Sequence, residues 1–272
     1  MREFDIKNVT KLTKFNIKNN KKQIIGWSIA IFSIMFLYMI LFPSMKDIAE
    51  AEFNAMPEGL LELFGMDNLT SMNNFISYFG MIYNIILIAI SIFAATFSAN
   101  LLYKEEKTKT IEFLYSLKVS RVEIYVSKFV TAFLAVLAVV LSAAISTTIC
   151  GFINGGETFV FMDFIQIVKI SSFTAFFFMA ISIALSGISA KVSMSAIGSG
   201  VVLVCYMLGF LANLLGTRAE WLKYLSPFEI FSPQNALLFD QNIIASLMIY
   251  FSLFVLFIFV GGYVYRKRDF NI

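Results

Sequence analysis

Histidine is absent from the 272-residue chain, cysteine occurs twice, proline four times, and charged residues make up only 14% of it. The missing imidazole removes the commonest metal ligand and general base together. Cys150 and Cys205 both sit inside long apolar runs. They read as small buried hydrophobes rather than as a disulfide framework. A soluble domain carries roughly 25% charged residues, and a shortfall of this size exceeds what a large core explains. No G-x-x-x-x-G-K-[ST] loop occurs, so no nucleotide is bound by that route. The cores of the apolar runs hold no Asp, Glu, Lys or Arg. That argues against proton- or ion-coupled transport and against acid or metal chemistry inside a membrane. No catalytic residue, metal site or nucleic-acid partner is therefore expected.

What the chain has in excess is apolar bulk. It is 59% apolar with 31 Phe, and its mean hydropathy is +0.80. Six uncharged stretches are long enough to cross about 30 Å of hydrocarbon as helices. They run over about 24–43, 75–103, 129–152, 170–190, 193–217 and 241–265. Membrane β-strands are shorter and alternate in polarity, so the fold class is all-α integral membrane, residues 1–272 forming a single transmembrane domain. The first 23 residues are polar and basic, and no cleavage pattern follows them, so the first apolar block reads as a retained anchor.

Lysine and arginine set the expected orientation. Seventeen of them fall in residues 1–22, in the segment between spans 2 and 3, at Lys191 and after the last span. Only Lys46, Lys169, Arg218 and Lys223 fall on the opposite side, together with Asp47, Glu50, Glu52, Glu58, Glu62 and Asp67. This asymmetry predicts both termini in the cytoplasm of a plasma membrane.

Three segments outside the spans carry structure of their own. Residues 1–23 alternate cations with Phe4, Val9, Leu12 and Phe15, which suggests a basic amphipathic helix lying on the anionic inner leaflet. The acidic stretch 44–74 contains Leu60, Leu61, Leu63 and Phe64 between carboxylates, a candidate short interfacial helix. In Arg218–Asp240, Trp221, Tyr224, Phe228 and Phe231 accompany Pro227 and Pro233. Aromatics at this density suit the headgroup level, and the two prolines favour a broken or re-entrant element.

The segment from Lys104 to Lys128 is the most informative. Ile111, Leu114 and Leu117, with Phe113 beside them, form one apolar helix face. Ser120-Arg-Val-Glu123 is a capping-box pattern that starts the helix leading into span 3. A passive connector needs only two to eight residues or so.

Three places together resemble the membrane subunits of type-2 ATP-binding-cassette (ABC) exporters. "NLLYKEEKTKTIEFLYSLKVSRVEIYVSK" is similar to that family's segment joining spans 2 and 3, matching at Glu105, Glu106, Thr110, Glu112, Leu114, Leu117, Ser120 and Arg121. Lys109 stands where the family usually has Gly. "WLKYLSPFEIFSP" is similar to the outer segment before the last span, through Trp221, Leu225, Ser226, Pro227 and Phe228. "YVYRKRDFNI" resembles the closing tail at Arg268 and Asp269. The resemblance implies six spans and a coupling helix around Thr108–Lys118 that docks on a partner ATPase. It further implies a second permease, identical or different, facing the first. ATP and magnesium would be bound by the ATPase subunit, and no cofactor by this chain. The expected cargo is hydrophobic or amphipathic, such as a peptide antibiotic, drug or lipid, in keeping with antimicrobial resistance. A non-transporting scaffold or sensor that binds a cytoplasmic regulator through the same segment is the alternative.

Overall fold

A computed structural model describes residues 4–46, 74–107, 119–188 and 194–267. Among these residues six helices are long and apolar enough to cross a membrane, and no strand is present. We label the helices α1 (Ile6–Ile40), α2 (Phe75–Lys107), α3 (Arg121–Cys150), α4 (Phe161–Ile188), α5 (Met194–Leu215), α6 (Pro227–Ile230), α7 (Pro233–Leu238) and α8 (Gln241–Lys267). The short helices α6 and α7 belong to the segment between α5 and α8.

α2 and α4 form the centre. They pack along each other, α8 lies on α4, α5 lies on α2, and α1 runs along α3, which itself contacts α2. The sequence of α2 explains its place: Phe75, Phe79 and Tyr83 recur every four residues on one face, all with no exposed surface. Phe79 meets Phe164 of α4 at 5.1 Å between ring centres. Tyr83 reaches Ser172 of α4 at 2.6 Å, so its hydroxyl is satisfied inside the bundle. By contrast α1, α5 and α8 leave apolar side chains such as Ile29, Leu37, Val204, Met207, Met248 and Phe259 outside. That is the surface lipid or another apolar chain covers.

Hydroxyls within the spans mostly bond their own helix one turn back. Thr96 donates to the Ile92 carbonyl at 2.7 Å, Thr131 to Ser127 at 2.7 Å and Thr147 to Ala143 at 3.0 Å. Cys150 is buried and Cys205 half-buried, and both are free thiols.

The helices differ from the apolar stretches at several ends. α1 starts at Ile6, capped by the Asp5 side chain, and continues unbroken to Ile40. The N-terminal basic segment is thus helical and continuous with the first span. Its buried residues Val9, Thr13 and Asn16 face α3, while Lys7, Lys11, Lys14, Lys18 and Lys21 form an exposed stripe on the opposite side. Lys128, placed before span 3 on sequence, lies inside α3 and is buried. Lys169, placed in an outer loop, is an exposed residue of α4, which begins at Phe161. The reason is common to all three: a charge ends an apolar run, yet a helical backbone continues past it as long as its hydrogen bonds are met.

The turn after α3 is built on glycine. Gly151–Gly155 form a π-helical turn, and Phe159 folds back over it. A Cβ at Gly151 would lie 2.7 Å from the Phe159 ring, and one at Gly155 would lie 2.5 Å from Phe159 Cβ. The candidate helix Leu60–Phe64 lies outside the described residues.

Candidate functional site

One end of the bundle, here called the base, gathers the start of α1, the end of α2, the start of α3 and the end of α8. Ser120 caps α3 in extended backbone geometry, and the predicted capping box forms in full. The Ser120 Oγ accepts from the Glu123 amide at 3.2 Å, and Glu123 Oε2 accepts from the Ser120 amide at 2.5 Å. Arg121 Nη1 donates to the carbonyl of Arg266 at the end of α8, 3.3 Å away. Asp5, ahead of α1, donates its amide to Glu123 Oε1 at 2.7 Å. Residues 5, 121 and 266 therefore share one end, which puts both ends of the described chain on the same side of the bundle.

A small apolar cluster sits just above. Leu102 of α2, Ile124 and Tyr125 of α3, Ile183 of α4 and Tyr265 of α8 are buried together. Tyr125 and Tyr265 lie 5.7 Å apart, and the Tyr125 hydroxyl donates to the Ile258 carbonyl at 3.2 Å. Glycines let the chains approach: a Cβ at Gly187 would meet the Gly261 carbonyl oxygen at 2.8 Å. The base is thus a tied frame at the end of α2 and the start of α3. Of the segment that joins α2 to α3, the backbone of Glu105 and Glu106 forms the last turn of α2, and Ser120 and Arg121 start α3. Thr110, Ile111, Glu112, Phe113, Leu114 and Leu117 lie outside the described residues, as do Arg268 and Asp269 of the tail.

At the far end, Gly216 to Leu238 is a chain of short pieces: two 3-10 turns, Gly216–Arg218 and Glu220–Leu225, then α6 and α7. Proline stands at the first position of both α6 and α7, where its missing N–H costs nothing. The segment points its aromatic residues in two directions. Trp221, Tyr224 and Leu225 are exposed, whereas Ser226, Pro227 and Phe228 are buried. Phe228 stacks on Phe178 of α4 at 5.4 Å and meets Tyr206 of α5 edge-on at 5.7 Å. Phe231 meets Phe173 and Tyr250 at 5.4 and 5.3 Å. Polar anchors hold the loop backbone. Tyr250 donates to the Tyr224 carbonyl at 2.7 Å, Gln166 to Ala236 at 2.8 Å and Thr174 to Pro227 at 3.3 Å. Phe239 closes α7 in the left-handed region, at φ 39°.

Beside this segment lies a cavity of about 300 Å³ whose walls include Asn213, Glu220, Lys223, Glu229, Asn235 and Asp240. Three carboxylates face one ammonium there, so the cavity is polar at the edge of an apolar bundle. Asn213 donates to Glu229 Oε2 at 3.1 Å and thereby links α5 to α6. Among the described residues no group of three His, Cys, Asp or Glu could hold a metal ion.

Several of these residues have no marking in the sequence. Asp5, Asn8 and Asn16 look like ordinary polar members of a basic segment. Gln166 and Tyr250 look like helix residues near a membrane surface. The partner of Gln166 is 70 residues away and that of Asp5 is 118, and only packing brings them together. For Glu123 the capping box was legible, but its bond to α1 was not.

No curated protein matches the chain. A family model described as the C-terminal domain of the multidrug efflux system permease Rv1217c matches residues 14–266. That match takes in the six membrane spans, the far-end segment and the base apart from the first turns of α1, so the chain belongs to this family of efflux permeases and is a multi-pass plasma-membrane transport protein.

Proposed function

We propose that this chain is the permease subunit of an ABC exporter, driven by a separate ATPase that pushes on the segment between α2 and α3. The observation that carries the reading is the base. α2 runs to Lys107, α3 restarts at Ser120 with a full capping box, and that restart is tied to both α1 and α8. A segment held between two such helix ends is suited to pass a push into the bundle. On this reading the base faces the cytoplasm, in accord with the lysine and arginine count, and the partner holds magnesium and ATP.

The coupling residues are Glu105, Glu106, Thr110–Leu114, Leu117, Ser120 and Arg121. Two permeases, identical or not, face one another through apolar surface left open on the outer helices. The cargo is hydrophobic or amphipathic and moves outward, a drug, peptide antibiotic or lipid. The absence of charge from the middle of the spans and the family's efflux description support this class. The far-end segment, with Trp221, Leu225, Ser226, Pro227 and Phe228, is the outer re-entrant element on this reading.

The test is direct. The tagged chain, isolated from native membranes, should bring down an ABC ATPase. Leu114→Asp should abolish export of an amphipathic dye such as rhodamine 6G while the chain still inserts in the membrane. Glu106→Lys should act in the same way. Undiminished export by Leu114→Asp would remove the coupling role from this segment.

A further inference from the structure

α1 and α3 pack along each other, with polar contacts between them near both ends. Near the far end, Ser146 Oγ donates to the Phe32 carbonyl at 3.0 Å, Cys150 Sγ to Phe36 at 3.8 Å and Asn154 Nδ2 to Ile40 at 3.2 Å. Donors step by four residues along α3 and the π-helical turn that follows it, while acceptors step by four on α1, so the two helices run parallel and in register. Every one of these pairs is 114 residues apart in sequence. The same register continues to the base. Thr13 Oγ1 contacts the Ser127 carbonyl at 3.5 Å, again 114 apart, and Lys128 Nζ donates to Asn16 Oδ1 at 2.9 Å, 112 apart. The row ends on Glu123, which is 1% exposed. Its carboxylate takes the Asp5 amide at 2.7 Å, the Asn8 side-chain amide at 3.3 Å and the Ser120 amide at 2.5 Å.

Glu123 therefore does two things with one side chain. It closes the helix start immediately after the α2–α3 segment, and it holds the first turn of α1 to that start. A buried carboxylate needs such donors to be stable. Removing it leaves two amide donors at the start of α1 without their acceptor and the α3 cap half made.

We propose that Glu123 is a positioning residue that locks α1 and α3 into one rigid lever, so that a push on residues 108–118 moves the first membrane helix together with the third. This rests on the ATPase-driven reading above. It adds that α1, although far in sequence from the push, is part of the moving body. The parallel packing of α1 on α3, pinned by polar bonds at both ends, is the physical path. Glu123→Gln keeps one acceptor oxygen, which can take the Ser120 amide or the α1 donors but not both, whereas Glu123→Ala takes neither.

The experiment uses the full chain with its co-purified ATPase in liposomes. It reads rhodamine 6G transport per ATP hydrolysed, and hydrogen exchange of residues 4–20 with and without ATP. Glu123→Ala should lower transport per ATP by about tenfold, the loss of one charge-assisted contact set, with ATP hydrolysis and assembly near wild type. Residues 4–9 should exchange faster while residues 75–100 do not change. Glu123→Gln should recover only part of the transport. Wild-type coupling in Glu123→Ala despite faster exchange at 4–9 would overturn the lever. Unchanged exchange at 4–9 would overturn the tie itself, and a proportional fall of hydrolysis and transport would reduce Glu123 to general stability. If the wild-type chain moves no dye with ATP, the export reading fails instead, and the exchange arm still decides whether Glu123 holds α1.

Discussion

Gly261 offers the sharpest prediction, because the structure supplies both the size of the perturbation and an internal control. α8 crosses α4 and α3 so closely there that a Cβ would lie 2.5 Å from the Tyr125 hydroxyl and 2.7 Å from the Ala184 Cα. Ordinary contact begins near 3.4 Å. The hydroxyl can swing aside, but the Ala184 backbone cannot, so Gly261→Ala must push α8 and α4 apart by about 0.7 Å. Overpacking of this kind costs about 1–3 kcal/mol. The control is Gly26 in α1, where nothing lies within 4 Å of the new methyl. There the same change only removes backbone freedom and should stabilise the helix by about 0.5–1 kcal/mol.

The assay is thermal unfolding of the purified protein in one detergent, with both variants side by side. At about 2–4 °C per kcal/mol for a chain of this size, Gly261→Ala should melt several degrees below wild type and Gly26→Ala at or above it. Tyr125→Phe in the Gly261→Ala background should not return the midpoint to wild type, because it removes the hydroxyl contact together with its bond to the Ile258 carbonyl and leaves the backbone clash. A Gly261→Ala protein that melts with wild type would show that the α8–α4 crossing is looser than described.

Two further predictions concern the far-end segment. Phe228→Ala removes a buried ring stacked on Phe178, and core Phe truncations cost about 3–5 kcal/mol. Limited proteolysis should then cut within 216–240 faster than in wild type, and equal cutting would deny Phe228 its anchoring role. Tyr250→Phe loses only the bond to the Tyr224 carbonyl, worth about 0.5–1.5 kcal/mol. It should lower the melting midpoint by less than Phe228→Ala does, and the reverse order would contradict the packing.

The legible features of this protein were those set by local chemistry. Apolar runs long enough to span a bilayer mark helices whatever their neighbours are, and the six runs fall on α1 to α5 and α8. The Ser120–Glu123 box is a four-residue affair and formed where its pattern stood. Pro227 and Pro233 forbade a straight helix there, and both stand at helix starts. Helix ends were harder to place. Lys128 and Lys169 looked like boundaries because they are charged, but both are helical, and Lys128 is covered by α1 rather than by water.

What the sequence by itself determined, then, was solvent and period: a chain with this little charge has to satisfy its backbone in helices within lipid. Which helix lies beside which was decided only in three dimensions. Nothing local distinguishes Asn16 from Asn19, or marks the Asp5 amide as the partner of a carboxylate 118 residues away. Those identities arise because α1 and α3 pack parallel in one register, which sets polar groups of one helix against the other at both ends of the contact. The base formed by that contact is a tertiary feature, and the coupling proposed for it depends on the same packing.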